Sequence, residues 1–191
     1  MSTLVIVLRV LSLVAFAGPM LLLGMHRRGK PAAPAHRIQS DRAPLVTNLA
    51  AFGLFLVSLS VFSGNSESSR ALLLALSGSL LALAGANLVL RSRTELGPAW
   101  SFLPEADRDA DLVTTGPYRL VRHPIYLGLT LLAMGQALAF GSWPALLVVP
   151  SAIVPSFVWR ARAEEVLLGR IFGERYAAYR RRTKMIIPHL L

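Results

Sequence analysis

Four stretches of this chain are too apolar to face water, and they restrict its fold more than any other feature. Residues 3–25 are apolar except at Arg9. Residues 43–63 and 71–90 form two further runs, and residues 125–159 form a longer, interrupted one. A helix needs about 20 mostly apolar residues to cross a bilayer, and each of the first three runs meets that length. Lipid offers no partner to a bare peptide group, so such runs cross as helices. Composition agrees, with 54% hydrophobic residues, 16% charged residues and a mean hydropathy of +0.54. Soluble domains carry about 25% charged residues. A soluble globule, a disordered chain, a collagen and a disulfide scaffold are all excluded. With no cysteine, disulfides, thiolate metal sites and a cysteine nucleophile are excluded too.

The runs differ in detail. Ala15-Phe16-Ala17 resembles a signal-peptide cleavage site, but the residues before it are barely charged and the apolar run continues to Met25. The first run is therefore read as a span. The second and third runs are rich in Leu, Ala, Gly and Ser, and small residues let helices approach closely in lipid. Gly141-Ser142-Trp143-Pro144 is a turn signal that divides the fourth stretch into halves of about 16 and 15 residues, each short for a full span. Trp143 suits a membrane interface. Pro150 and Pro155 should kink the last half and free backbone carbonyls.

The formal net charge is +10, from 20 Lys and Arg against 10 Asp and Glu. If the ends of the runs alternate sides, segments 26–42, 91–124 and 160–191 share one side and hold 18 of the 20 basic residues. That asymmetry places those segments in the cytoplasm and the N-terminus outside. The charge then reads as topology and contact with anionic lipid, and nucleic-acid binding loses its motivation. Residues 160–182 read as a helix with Val166, Ile171, Phe172, Tyr176 and Tyr179 on a broad apolar face. No Gly-rich phosphate loop is present, and His26, His36, His123 and His189 lack metal-ligand spacing, so no metal is expected.

Two clusters can carry chemistry. The first runs from Gly116 to Gly128, Gly-Pro-Tyr-Arg-Leu-Val-Arg-His-Pro-Ile-Tyr-Leu-Gly, at the start of the fourth run. Pro124 fits a first helical turn and His123 its cap. Free N–H groups of that turn could hold a carboxylate, and Gly128 leaves room for a neighbour. A plain juxtamembrane anchor explains the same residues. The second cluster is Arg160-Ala-Arg-Ala-Glu164-Glu165. Arg160 and Glu164 are spaced as an ordinary helix ion pair, yet Arg160 follows directly on an apolar run, where ionisable groups face a partner or a cavity. A hairpin between 126 and 160 brings both clusters to one edge.

With these residues the sequence resembles the isoprenylcysteine carboxyl methyltransferase family of integral membrane, S-adenosylmethionine-dependent methyltransferases. The resemblance rests on Leu112 to Tyr118, Arg122 to Gly128, Arg160, Glu164-Glu165, Phe172-Gly173-Glu174, Tyr176, Tyr179 and Pro188, over about 80 residues. The first 100 residues match only in hydropathy. Phospholipid N-methyltransferases share the pattern less completely. The resemblance implies S-adenosyl-L-methionine as cofactor, with Leu112 and Val113 in a strand-like stretch along it. It implies Tyr118 as a pocket tyrosine, a binding turn of His123, Pro124, Ile125 and Tyr126, and Glu164 as a cofactor-binding glutamate. Arg160 is the implied catalytic residue, facing the methyl acceptor. Ala110-Asp111 departs from the eukaryotic pattern, which is more polar there and contains a histidine.

The chemistry is consistent with that assignment. Methyl transfer needs donor and acceptor held in line and dry. Tyr118 or Tyr126 could place a ring near the sulfonium. A carboxylate acceptor needs no base, and Arg160 could orient it. The expected fold is all-α: a polytopic membrane protein of five transmembrane helices, the last two a hairpin, with a cytosolic C-terminal helix as lid. One domain, 1–191, is expected, with three spans in 1–90 and the catalytic part in 91–191. The expected partner is a lipophilic or lipid-modified substrate drawn from membrane lipid, the Pro-kinked 145–159 segment lining its path. An Ala/Leu/Arg-rich chain points to a bacterial inner membrane. A lipid-amine N-methyltransferase and a non-enzymatic scaffold or transporter subunit are the alternatives. Against transport, the first three runs contain one ionisable residue, Arg9.

Overall fold

The computed structural model describes residues 2–24, 43–64, 69–97 and 111–187. The described regular structure is helical: α1 (Ser2–Gly24), α2 (Ala43–Val61), α3 (Ser69–Leu96), a 3-10 turn (Gly116–Arg119), α4 (Pro124–Phe140), α5 (Trp143–Val148), a π-turn (Val149–Ile153), α6 (Val154–Phe172) and α7 (Glu174–Arg182). Four helical stretches are long and apolar enough to cross a membrane, and α4 is a shorter apolar helix. The protein is a multi-span membrane protein. Side chains such as Val7, Val14, Leu49, Val57, Leu73 and Leu80 stand exposed on the bundle, as lipid-facing residues do.

The helices alternate in direction. Val5 packs on Ala71 and Ala75, so α1 and α3 start at the same end. Arg9 ties that end together: its side chain donates to the carbonyls of Ala139 and Gly64, each at 3.0 Å, and sits over the Phe140 ring. Ser79 donates to the Leu8 carbonyl, and Ser12 faces the Gln136 side chain. The lone charge of the first run is thus paired with the bare carbonyls that end α4.

The closest helix pair is α3 with α4. Gly78 and Gly85 of α3 face Gly135 and Gly128 of α4. A Cβ on Gly85 would lie 2.6 Å from the Gly128 carbonyl oxygen, and one on Gly128 would lie 2.9 Å from that of Gly85. Backbone touches backbone, which only glycine allows.

The structure departs from the sequence-based boundaries in four places. Helix α3 runs past residue 90 to Leu96, two turns beyond its apolar run. The two arms after the fourth-run start are joined by a turn, with Gly141 at φ 62° and Ser142 capping α5. Yet α4 packs chiefly on α3, and the last span packs chiefly on α2, so they are not a self-packed hairpin. Pro150 does not break the last span. The π-turn absorbs it, and one helical run continues from Trp143 to Phe172. The expected tail helix 160–182 is two pieces. Its first half is the end of α6, and Gly173 at φ 52° turns the chain into α7.

A charged cluster at the basic end of the bundle

The end of the bundle opposite Arg9 gathers the last turns of α3, the start of α4, and the charged end of α6. Pro124 opens α4, and His123 precedes it at φ −123°, ψ 62°. The amides of Tyr126 and Leu127 both donate to the His123 carbonyl. Those two N–H groups close the turn onto its own cap residue. The turn is braced from two sides. The phenol of buried Tyr118 donates to the Ser92 carbonyl at 3.4 Å, and Thr115 donates to Glu95, both on α3. After α7 the chain runs parallel to 121–123: the amides of Arg122 and His123 donate to the carbonyls of Lys184 and Met185 at 2.8 and 2.9 Å. Ile186 is buried just beyond.

Two adjacent glutamates of α6 meet this turn. Glu164 accepts from the Tyr126 hydroxyl and from Arg160 Nε at 3.1 Å, and lies 3.4 Å from His123 Nδ1. Glu165 accepts from Arg122 Nε at 2.6 Å and lies 3.6 Å from both His123 Nε2 and Arg180 Nε. The imidazole is thus set between two carboxylates, one facing each nitrogen. At 3.6 Å the Nε2 contact is an ion pair without a hydrogen bond. Burial alone would lower the His123 pKa. The two flanking carboxylates, Glu164 and Glu165, outweigh it, so the pKa stands above the ordinary value of about 6.5. Burial pushes the Tyr118 phenol well above its ordinary range, with further upward pushes from Tyr179 and Glu164, so it stays neutral and lies within electrostatic reach of Glu164.

Aromatic rings continue inward. Tyr126 stacks on His123 (5.5 Å, 11°) and on Phe157 (4.9 Å, 12°), and the Arg160 guanidinium lies 5.8 Å from its centroid. Its ring thus packs against an imidazole, a phenyl ring and a guanidinium.

Of the residues singled out in sequence, His123, Tyr126, Arg160 and Glu164 form one contacting cluster, with Tyr118 close by. Pro124 and Ile125 are buried at the start of α4, Ile125 within the apolar core. Leu112 and Val113 are half-buried in an irregular segment, not a strand. Pro188 and Ala110 lie outside the described residues. Sequence reasoning gave no role to Arg122 and Glu165, although the doubled glutamate was visible. It also missed the 183–187 segment, which carries no periodic signal.

A multi-span helical bundle with a buried, charge-paired cluster at the level where its apolar runs end is an integral membrane protein with an interfacial polar site. Residues 73–175, more than half of the chain, match the family described as phospholipid methyltransferase. The chain belongs to that family of membrane methyltransferases. It is 32% identical over 96 residues to the Protein-S-isoprenylcysteine O-methyltransferase of Schizosaccharomyces pombe, covering 49% of this chain and 41% of that protein. The match thus spans less than half of that relative's length. The fold is similar to that of the eukaryotic intramembrane Ras methyltransferase, isoprenylcysteine carboxyl methyltransferase, with a TM-score of 0.55 and 20% identity over 94% of this chain and 68% of that one.

Methyltransferases of this family use S-adenosylmethionine. The cluster fits such a group. A carboxylate offers about four acceptor positions, and the described contacts of Glu164 use three, which leaves room for an ammonium or a ribose hydroxyl. The buried Tyr176 hydroxyl, within the charge field of Glu165, has no hydrogen-bond partner among the described residues. Among those residues no group of three His, Cys, Asp or Glu could hold a metal.

Proposed function

We propose that the chain transfers a methyl group from S-adenosylmethionine to the carboxylate of a lipophilic acid, isoprenylcysteine-like or a lipid acid. The observation that carries this reading is Arg160, a buried guanidinium at the end of an apolar helix, paired with Glu164 and lying over Tyr126. In the cluster Arg122, Arg160 and Arg180, with His123 between the carboxylates, meet Glu164 and Glu165, so cationic groups outnumber the carboxylates there. An anionic acceptor balances that surplus. An amine acceptor does not, and must also lose a proton.

The cofactor supplies an electrophilic methyl group on a sulfonium. The chain's own residues do the holding. Glu164 takes the cofactor's ammonium or ribose hydroxyl, and Tyr118 offers the ring for the sulfonium. Leu112 and Val113 line the approach, and His123, Pro124, Ile125 and Tyr126 form the turn beneath. Arg160 orients the acceptor carboxylate, which is already the nucleophile. Burial of the cluster keeps water out. Residues 1–191 act as one domain. Five passes, an outside N-terminus and a cytoplasmic site follow from the distribution of basic residues. The acceptor reaches the site from the bilayer, with segment 145–159 along its path.

The test is a binding isotherm for S-adenosylmethionine on detergent-purified protein, then turnover of labelled cofactor with matched lipophilic acids and amines. We expect micromolar binding and methylation of acids. In Glu164→Ala the affinity should drop by about 1.5–3 kcal/mol, the range of a lost charge-assisted hydrogen bond. Unchanged affinity in a folded variant removes Glu164 from the site. Methylation of amines alone replaces the acceptor. Absence of binding overturns the reading.

A further inference from the structure

On the face of α6 turned away from Arg160 and Glu164 lies a second feature. Val158 and Arg162, one helical turn apart, form one wall of a cleft of about 320 Å³. The other wall is Arg122 with the 180–185 segment: Arg180, Arg181, Arg182, Thr183, Lys184 and Met185. Six of the nine lining residues are basic and none is acidic. The nearest acid, Glu165, does not line the cleft and is engaged by Arg122 and Arg180. Arg162, Arg181, Arg182 and Lys184 have no carboxylate partner among the described residues.

We propose that this cleft is an anion site that takes the phosphate group of an anionic membrane lipid. Like charges crowded into one concavity repel one another unless a counter-anion joins them, and guanidinium forks match phosphate oxygens. The volume is at the small end of the range for ligand sites, about 300–1,000 Å³, enough for a glycerophosphate headgroup. The floor supplies the second half of the match. Val158 belongs to the apolar part of the last span and Met185 is half-buried beside it, while Trp159, 47% exposed, marks the same level as a membrane interface. A ligand that is anionic at one end and apolar at the other fits this wall better than a free anion. The cleft opens on a different face of α6 from Arg160 and Glu164. Residues two positions apart on a helix point about 200° apart, so a lipid held by Arg162 does not meet Arg160. Arg122 joins the two sites, since it lines the cleft and holds Glu165 beside His123.

The experiment is native mass spectrometry of the full chain, released from detergent with equimolar phosphatidylglycerol and phosphatidylcholine of the same acyl chains. We expect one retained phosphatidylglycerol, preferred at least tenfold. The variant Arg162→Gln/Arg181→Gln/Lys184→Gln should lose the preference, and Arg162→Gln alone should lose at least threefold, which covers the case in which the triple variant does not fold. A control with equal charge loss outside the cleft, Arg91→Gln/Arg119→Gln/Arg170→Gln, should keep it. Titration of delipidated protein with inorganic phosphate and glycerol 3-phosphate separates the sources. Binding of these with the same dependence on Arg162, and no lipid preference, keeps the anion site but makes its occupant soluble. Equal retention of both lipids with no phosphate binding overturns the proposal. So does a preference that survives the cleft variant, or one that both variants lose equally.

Discussion

Arg160 and Lys at the same position would carry the same charge, so replacing one with the other isolates geometry. A guanidinium is a rigid planar fork, whereas an ammonium is a point charge. If Arg160 orients the acceptor carboxylate, Arg160→Lys should leave cofactor affinity within about threefold. Turnover should fall at least tenfold, roughly 1.4 kcal/mol of transition-state stabilisation. Near-normal turnover would make Arg160 an anchor and bring back the amine acceptor. His123 gives a second residue-scale expectation. Its pKa is raised in the folded protein. The stability it contributes is therefore complete below the unfolded value of about 6.5 and is lost as pH rises through the folded value. Melting temperature in detergent should decline over that upward window, and the decline should be absent in His123→Gln. A wild-type profile that rises there would contradict the pairing with Glu164 and Glu165. The residues of this cluster were legible in sequence because each sits in a short motif. Their pairing was less so. Nothing local says that Glu165 reaches Arg122 across 43 positions, or that Tyr126 stacks on both His123 and Phe157.

At the scale of elements, the α3–α4 contact fixes where the start of α4 sits. The small residues of the third run and Gly128 were visible in sequence as room for close packing. The seven-residue spacing that places Gly78 and Gly85 against Gly135 and Gly128 becomes meaningful only once the helices are seen antiparallel. Gly85→Leu would drive a side chain into the backbone of α4, and we expect loss of the monodisperse folded protein, beyond the ordinary overpacking cost of about 1–3 kcal/mol. Gly53→Leu is the matched control. That glycine lies on α2 with nothing within 4 Å of an added Cβ, so its variant should purify normally. Equal behaviour of the two would refute the close approach. The helix boundaries were read less well. Hydropathy stops at residue 90, but α3 continues because Arg91, Arg93 and Glu95 are good helix formers. The hydropathy pattern cannot register a π-turn that accommodates Pro150, nor the left-handed glycine that splits the tail.

For the whole molecule, a multi-span helical bundle was readable because lipid permits few solutions, whereas the proposed orientation rests on charge asymmetry alone. A chain without cysteine makes that orientation easy to test. Ser63→Cys, at the Arg9 end of the bundle, should react with an impermeant maleimide from outside intact cells. Arg181→Cys should react only after permeabilisation. The opposite pattern would invert the proposed topology and move the charged cluster outside.

The pairing of residues 121–123 with 184–185 also orders events during biosynthesis. Arg122 leaves the ribosome 61 residues before Thr183, whose carbonyl its guanidinium holds, and α4 can enter the membrane during that interval. The spans are therefore threaded before the His123 turn has its last support. A nonsense or frameshift allele between codons 173 and 183 would accumulate as an inserted, anchored polypeptide whose turn at His123 is left open, a defect that an abundance assay would score as normal.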